Sequence, residues 1–171
     1  QQANEAEIHL FARYVDGNGI EMRWFSDNNE VMRKGTETGF VVERRVAGIG
    51  SFQVIETVQP LDEAQTEQLI QSEVDEGNRA DRLRVVTELR ATDTEHLPGQ
   101  IDFQNRIEDL VNRKSAEDFR TMTFMLSSFE DSLAARVLGL SATDGNVMPG
   151  QTYEYRARLT NPGGLNVVSV I

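Results

Sequence analysis

Apolar and polar positions alternate along residues 8–58 and again along 139–171, whereas across 61–138 apolar residues recur at intervals of three and four. A period of two marks a strand with one buried face, and a period near 3.6 marks a helix with an apolar stripe. The chain therefore predicts strands, then helices, then strands again. Ile8–Val15 is an apolar run closed by Asp16-Gly17-Asn18-Gly19, residues that accept the positive φ angles of a tight hairpin. Ile20, Met22 and Trp24 then alternate with Glu21 and Arg23. A polar stretch, Ser26–Thr38, reads as a loop leading to a second alternating run from Phe40 to Glu43. Phe52, Val54 and Val58 lie on a further strand.

In the middle block, Asp62 is placed to cap a helix bearing Leu69, Ile70 and Val74, and Leu83, Val86 and Leu89 mark the next helix. Ile101, Phe103, Ile107, Leu110 and Val111 suggest another. The longest helix is expected to start at Ser115 and to run to Gly139. It carries Phe119, Met122, Met125, Leu126, Phe129, Leu133 and Val137 at spacings of three and four. Such a row normally seats a helix on its core, so Phe119, Met122, Met125 and Phe129 are expected to pack inward. Strand character returns at Leu138–Ala142 and most regularly at Tyr153–Leu159. Asn161-Pro162-Gly163-Gly164 is a turn, after which Asn166–Ile171 is expected to pair back as a terminal strand.

Neither strand block alone closes a stable sheet pair, but together they supply about seven strands, the number of an immunoglobulin-like sandwich. Val147-Met148-Pro149-Gly150-Gln151-Thr152-Tyr153-Glu154-Tyr155 resembles the sixth strand of fibronectin type III domains and its approach. The aliphatic-to-tyrosine spacing of that family's tyrosine corner falls on Val147 and Tyr153, where leucine is the usual aliphatic. Ile20–Trp24 is similar to the family's second strand, and Gly39–Arg44 to its third, with Phe40 where tyrosine is commoner. Asn161–Gly164 sits where the family has its final hairpin. The resemblance implies a fold that is mainly β with an α insertion. Residues 1–60 and 139–171 would form one fibronectin type III-like (immunoglobulin-like) antiparallel β-sandwich, interrupted over 61–138 by a subdomain of three or four helices. Trp24, Val42, Tyr153, Tyr155 and Ala157 would fill its core. The helical block is the departure from the family; Ala134–Leu140 and Asp144 are similar to helix-inserted versions in large bacterial surface proteins.

Composition narrows the chemistry. Of 171 residues 39% are hydrophobic and 26% charged, proportions of an ordinary folded chain rather than a disordered one. The net charge of −11 argues against nucleic acid or an anionic lipid surface as partner, since both select clustered Lys and Arg. Absence of cysteine removes disulfides, thiolate nucleophiles and cysteine zinc sites. No apolar run approaches the ~20 residues of a spanning helix, so direct membrane insertion is not expected. The chain opens at Gln1-Gln2 without an apolar leader, as a mature exported chain or a piece of a longer protein would.

No catalytic constellation stands out. His9 and His96 are the two histidines and lack metal-ligand spacing. Asp16–Gly19 and Asp27–Glu30 superficially resemble calcium loops, but a turn accounts for each, and the first lacks the downstream bidentate glutamate. Asp75-Glu76 and Glu117-Asp118 fit solvated or helix-capping roles better than acid–base chemistry. The expectation is a non-enzymatic structural or protein–protein interaction module of a larger exported or cell-surface bacterial protein. It has no catalytic, cofactor-binding or metal-ligating residues and no cofactor. Its partner is a protein, with the inserted helices as the candidate surface. The alternative is a carbohydrate-binding accessory module, which needs exposed aromatics on one face.

Overall fold

The computed structural model describes residues 5–74, 77–91, 103–165 and 167–170. β1 (Ala6–Val15) and β2 (Gly19–Phe25) form an antiparallel hairpin whose turn uses positive φ at Gly17 and Gly19. A Cβ on Gly19 would meet the Asp144 carbonyl oxygen at 2.2 Å, so the position is closed to larger residues. α1 (Asn29–Thr38) follows, then β3 (Phe40–Val46) and β4 (Ile49–Val58). The helices α2 (Glu63–Glu73), α3 (Asn78–Ala91), α4 (Phe103–Glu130) and α5 (Ser132–Leu138) come next. β5 (Ser141–Asp144), β6 (Tyr153–Leu159) and β7 (Val167–Val170) complete the described chain.

The strands make two small sheets, ordered β5-β2-β1-β7 and β4-β3-β6. Their inner residues meet: Ile8, Leu10, Met22 and Trp24 from the first sheet, Phe40, Val42, Tyr155, Ala157 and Leu159 from the second, all buried. Trp24 and Phe40 touch edge to face with centroids 5.7 Å apart. The same apolar cluster continues into the helices through Leu69, Ile70, Leu83, Val86, Phe124 and the inner side of α5. The junction is tied by backbone and guanidinium. Leu61 N donates to the Val137 carbonyl at 3.0 Å, and Arg90 donates to the carbonyls of Val137 and Leu61.

This architecture corrects the expected fold class. The protein is mixed α/β, with five helices among the described residues and more helix than strand, and not a mainly β antiparallel sandwich. Three local differences account for it. First, the stretch read as a loop contains α1. The Asn28 side chain caps it, accepting from Glu30 N and Val31 N at 3.0 and 3.1 Å, and only Val31 and Met32 supply buried apolar side chains. Second, the helix expected from Ser115 is 28 residues long, Phe103–Glu130. It breaks at Asp131, whose side chain caps the separate α5. Third, β7 does not pair back on β6. It joins the other sheet in parallel with β1, Ala6 opposite Val167 through His9 opposite Val170. Its Ser169 hydroxyl accepts from Ala157 N at 3.2 Å. Other local signals match: Asp62 caps α2 through a reciprocal capping box with Gln65, and Gly139 ends α5 in the left-handed conformation.

Candidate docking surface

α4 is amphipathic, but its sides are the reverse of the expected ones. Its inward side is formed by Arg120, Thr121, Phe124 and Ser128, all buried, with Phe124 only 1% exposed. Phe119, Met122, Leu126 and Phe129 stand outward, 64, 53, 49 and 44% exposed. Their spacing of three, four and three residues makes one straight row, and Val111, also exposed, extends it toward the helix start. The inward side holds because its polar groups are satisfied or short. The Ser128 hydroxyl donates to the Met125 carbonyl at 2.8 Å, and Phe124 fills the space toward the sheets.

The row runs onto the outer face of the first sheet. Phe129 packs edge to face on Phe11 and Phe25, with centroids 5.6 and 5.5 Å away, and His9 stacks on Phe25 at 5.1 Å. Phe11 is itself 52% exposed. Arg23 on β2 holds the end of α4 by donating from Nη1 to the carbonyls of Ser128 and Phe129, at 2.8 and 3.0 Å. This satisfies helix-end acceptors and places positive charge where the helix dipole is negative. Phe11, Arg23 and Phe129 line a shallow hollow of about 340 Å³ with Ala12, Arg13 and Glu21. Taking 150–250 Å² for a large side chain, Phe11 and the four residues of the row leave on the order of 500 Å² of apolar surface in water. That lies toward the upper end of what monomers tolerate, and such patches are often functional.

The polar clusters elsewhere have structural geometry. Buried Asp144 on β5 bridges the two sheets, its Oδ2 accepting from Arg44 Nη1 at 2.7 Å and from the Tyr155 hydroxyl at 2.9 Å. Its Oδ1 takes Asn146 N at 3.0 Å. Burial, then the hydrogen bond and charge of Asp144, push the Tyr155 phenol well above its ordinary range. On the outer face of the second sheet, burial raises the Glu43 carboxyl, but hydrogen bonds from Arg156 and Arg158 outweigh it and hold it low. Arg45 and Arg156 both lie over the Phe52 ring, 4.6 and 4.3 Å from its centroid. Arg79 clamps Asp131 with two bonds of 2.8 and 2.7 Å. These carboxylates are committed to guanidinium partners.

The residues singled out in the sequence fall as follows. Trp24, Val42, Tyr155 and Ala157 are buried; Tyr153 is half-buried, and its hydroxyl accepts from Met148 N at 3.1 Å. His9 lies 3.7 Å from Glu7, on the outer face beside Phe25. Asp16–Gly19 is the β1–β2 turn, and Asn28 of the second acidic loop is the α1 cap. Among the described residues no three His, Asp or Glu side chains gather as a metal site. Glu117 and Asp118 lie on α4, where Asp118 accepts from Asn29 Nδ2 at 2.6 Å. His96 and Asp75-Glu76 lie outside the described residues. The expectation that Phe119, Met122 and Phe129 pack inward is overturned, while Met125 is half-buried. Phe124 is the one apolar residue among Arg120, Thr121 and Ser128, so no apolar register in the sequence marked the buried side. Among the described residues no helix is long and apolar enough to cross a membrane. No family model, no curated protein and no solved structure matches the chain.

Proposed function

We propose that this chain is a non-enzymatic protein-interaction module whose docking surface is the outward row of α4, Phe119, Met122, Leu126 and Phe129, continued by Phe11. The single observation that carries this reading is the exposure of four large apolar side chains at helical spacing along one helix. A helix whose only role is internal packing keeps such a row in the core. Here the side chains offer contact area and no reactive group, which suits an apolar-faced helix laid alongside, anchored at i, i+3 or i+4 and i+7. The parent expected from the strand resemblance, a larger exported or cell-surface bacterial protein, belongs to the same proposal. The carbohydrate-binding alternative ranks below it. The exposed aromatics of the row are phenylalanines among Met and Leu, and no tyrosine or tryptophan stands in it.

The test is a photo-reactive residue at position 122, compared with one at position 45 on the outer face of the second sheet, in extract of the source cells. The reading expects a discrete adduct from position 122 alone, mapped by mass spectrometry to an amphipathic helix of another protein. It expects that adduct to disappear in F119S/L126S. Equal labelling from both positions, or an adduct that survives F119S/L126S, would refute it.

A further inference from the structure

Charge decides which kind of helix the row accepts. Between Ser115 and Glu130 the acids are Glu117, Asp118 and Glu130 and the basic residue is Arg120, while exposed Lys114 stands one turn before Asp118, beside the Val111 end of the row. Arg120 belongs to the buried side of α4, opposite the row. At 3.6 residues per turn, Asp118 and Glu130 lie about 60° to either side of the row's centre line, so an acid borders it on each flank. Asp118 and Glu130 are both exposed. The nearest cations at the sheet end are committed: Arg13 pairs with Glu21 at 2.8 Å, and Arg23 holds the carbonyls of Ser128 and Phe129.

From this asymmetry, and resting on the docking role proposed above, we infer that the occupant is an amphipathic helix of a different polypeptide, carrying Lys or Arg on both flanks of its apolar stripe. A helix of that pattern places cations against Asp118 and Glu130 while its stripe covers Phe119 to Phe129. That stretch is about 15 Å long at 1.5 Å per residue, three turns of helix on each side. A second copy of this chain is the wrong occupant. It would set Asp118 and Glu130 of one face beside the same two acids of the other, on chains that each carry −11. Opposite charges on the two flanks also fix the lateral position of the helix, which the apolar contacts alone leave free to roll.

The experiment uses the full chain and fluorescein-labelled 18-residue helical peptides, each built with one of three apolar stripes and flanked either by Lys or by Glu. Binding is read by anisotropy at 50 and 500 mM salt. The expected result is at least a tenfold preference for Lys flanks, shrinking several-fold at high salt. D118K/E130K should reverse the preference, and F119S/L126S should abolish binding of both peptide types. If Lys- and Glu-flanked peptides bind alike and both depend on Phe119 and Leu126, the docking role stands and the charge inference falls. If no peptide binds, both fall. Sedimentation showing a dimer that F119S/L126S dissociates would assign the row to a second copy. A cross-link from position 122 to residues 92–102 of the same chain would make the row an internal contact. Either of these last two results overturns the inference.

Discussion

Two truncations on the same helix separate a row that packs from a row that waits. Phe124 is 1% exposed and lies in the apolar cluster shared by sheets and helices. Phe124→Ala removes a fully buried ring, a change that costs about 3–5 kcal/mol through lost transfer energy and the cavity left behind. Two residues earlier, Met122 keeps 53% of its surface in water. Full burial of such a side chain is worth about 1.5–3 kcal/mol, so the half that is covered bounds the cost of Met122→Ala at about 1 kcal/mol. Helix propensity shifts this little, since alanine and methionine both favour helix. The assay is urea unfolding followed by circular dichroism at 222 nm. With a slope of about 2 kcal/mol/M, the midpoint should fall by about 2 M for F124A and by about 0.5 M or less for M122A. A loss for M122A equal to that for F124A would refute the assignment of sides, because it would mean that the Phe119–Phe129 row is covered within the free chain.

Three further outcomes follow from the core. Asp144→Ala leaves the Arg44 guanidinium and the Tyr155 hydroxyl without their shared acceptor, which should cost about 3 kcal/mol; a double-mutant cycle with Tyr155→Phe should show coupling of about 1 kcal/mol in the same urea assay. Tyr155, whose phenol is held protonated by burial and by Asp144, has its folded titration above the ordinary 10.0. Its contribution is therefore complete below pH 10 and lost as pH rises through the folded value, so the stability difference between pH 9 and pH 11 should be larger in the native chain than in Y155F. Gly35→Ala would place a Cβ 2.0 Å from Cζ of buried Phe40 and should lower the melting temperature by several degrees, although alanine is the better helix former.

Much of the strand framework was legible because period-two alternation survives wherever one face of a strand is buried: Met22 and Trp24 on β2, and Tyr155, Ala157 and Leu159 on β6, all point inward as their spacing requires. Strong local chemistry was legible too, as at Asp62 and Gly139. Three features were not. α1 has two buried apolar side chains in ten residues, so its sequence reads as a polar loop, and only the Asn28 cap signals a start. The attachment of β7 depends on which free sheet edge lies within reach of a four-residue strand, which its own residues do not encode. The two sides of α4 misled for a physical reason. The rule that an apolar row faces the core assumes that no other face of the helix is buried. Here Arg120, Thr121, Phe124 and Ser128 fill the inner contact and leave the stronger row outside. That inversion is the same observation on which the proposed function stands.

The most direct measurement of the central claim is methionine oxidation by dilute hydrogen peroxide on the free monomeric chain, read residue by residue by mass spectrometry. Met122 and Met148 are 53 and 64% exposed, while Met22 and Met32 are each 1% exposed. Sulfoxide formation follows access to the thioether, so Met122 should oxidise with Met148, well ahead of Met22 and Met32, and a bound Lys-flanked helix should protect Met122 and leave Met148 unchanged. Met122 oxidising as slowly as Met22 in the free monomer would contradict the account, because the row would then be part of the core and not a surface awaiting a partner.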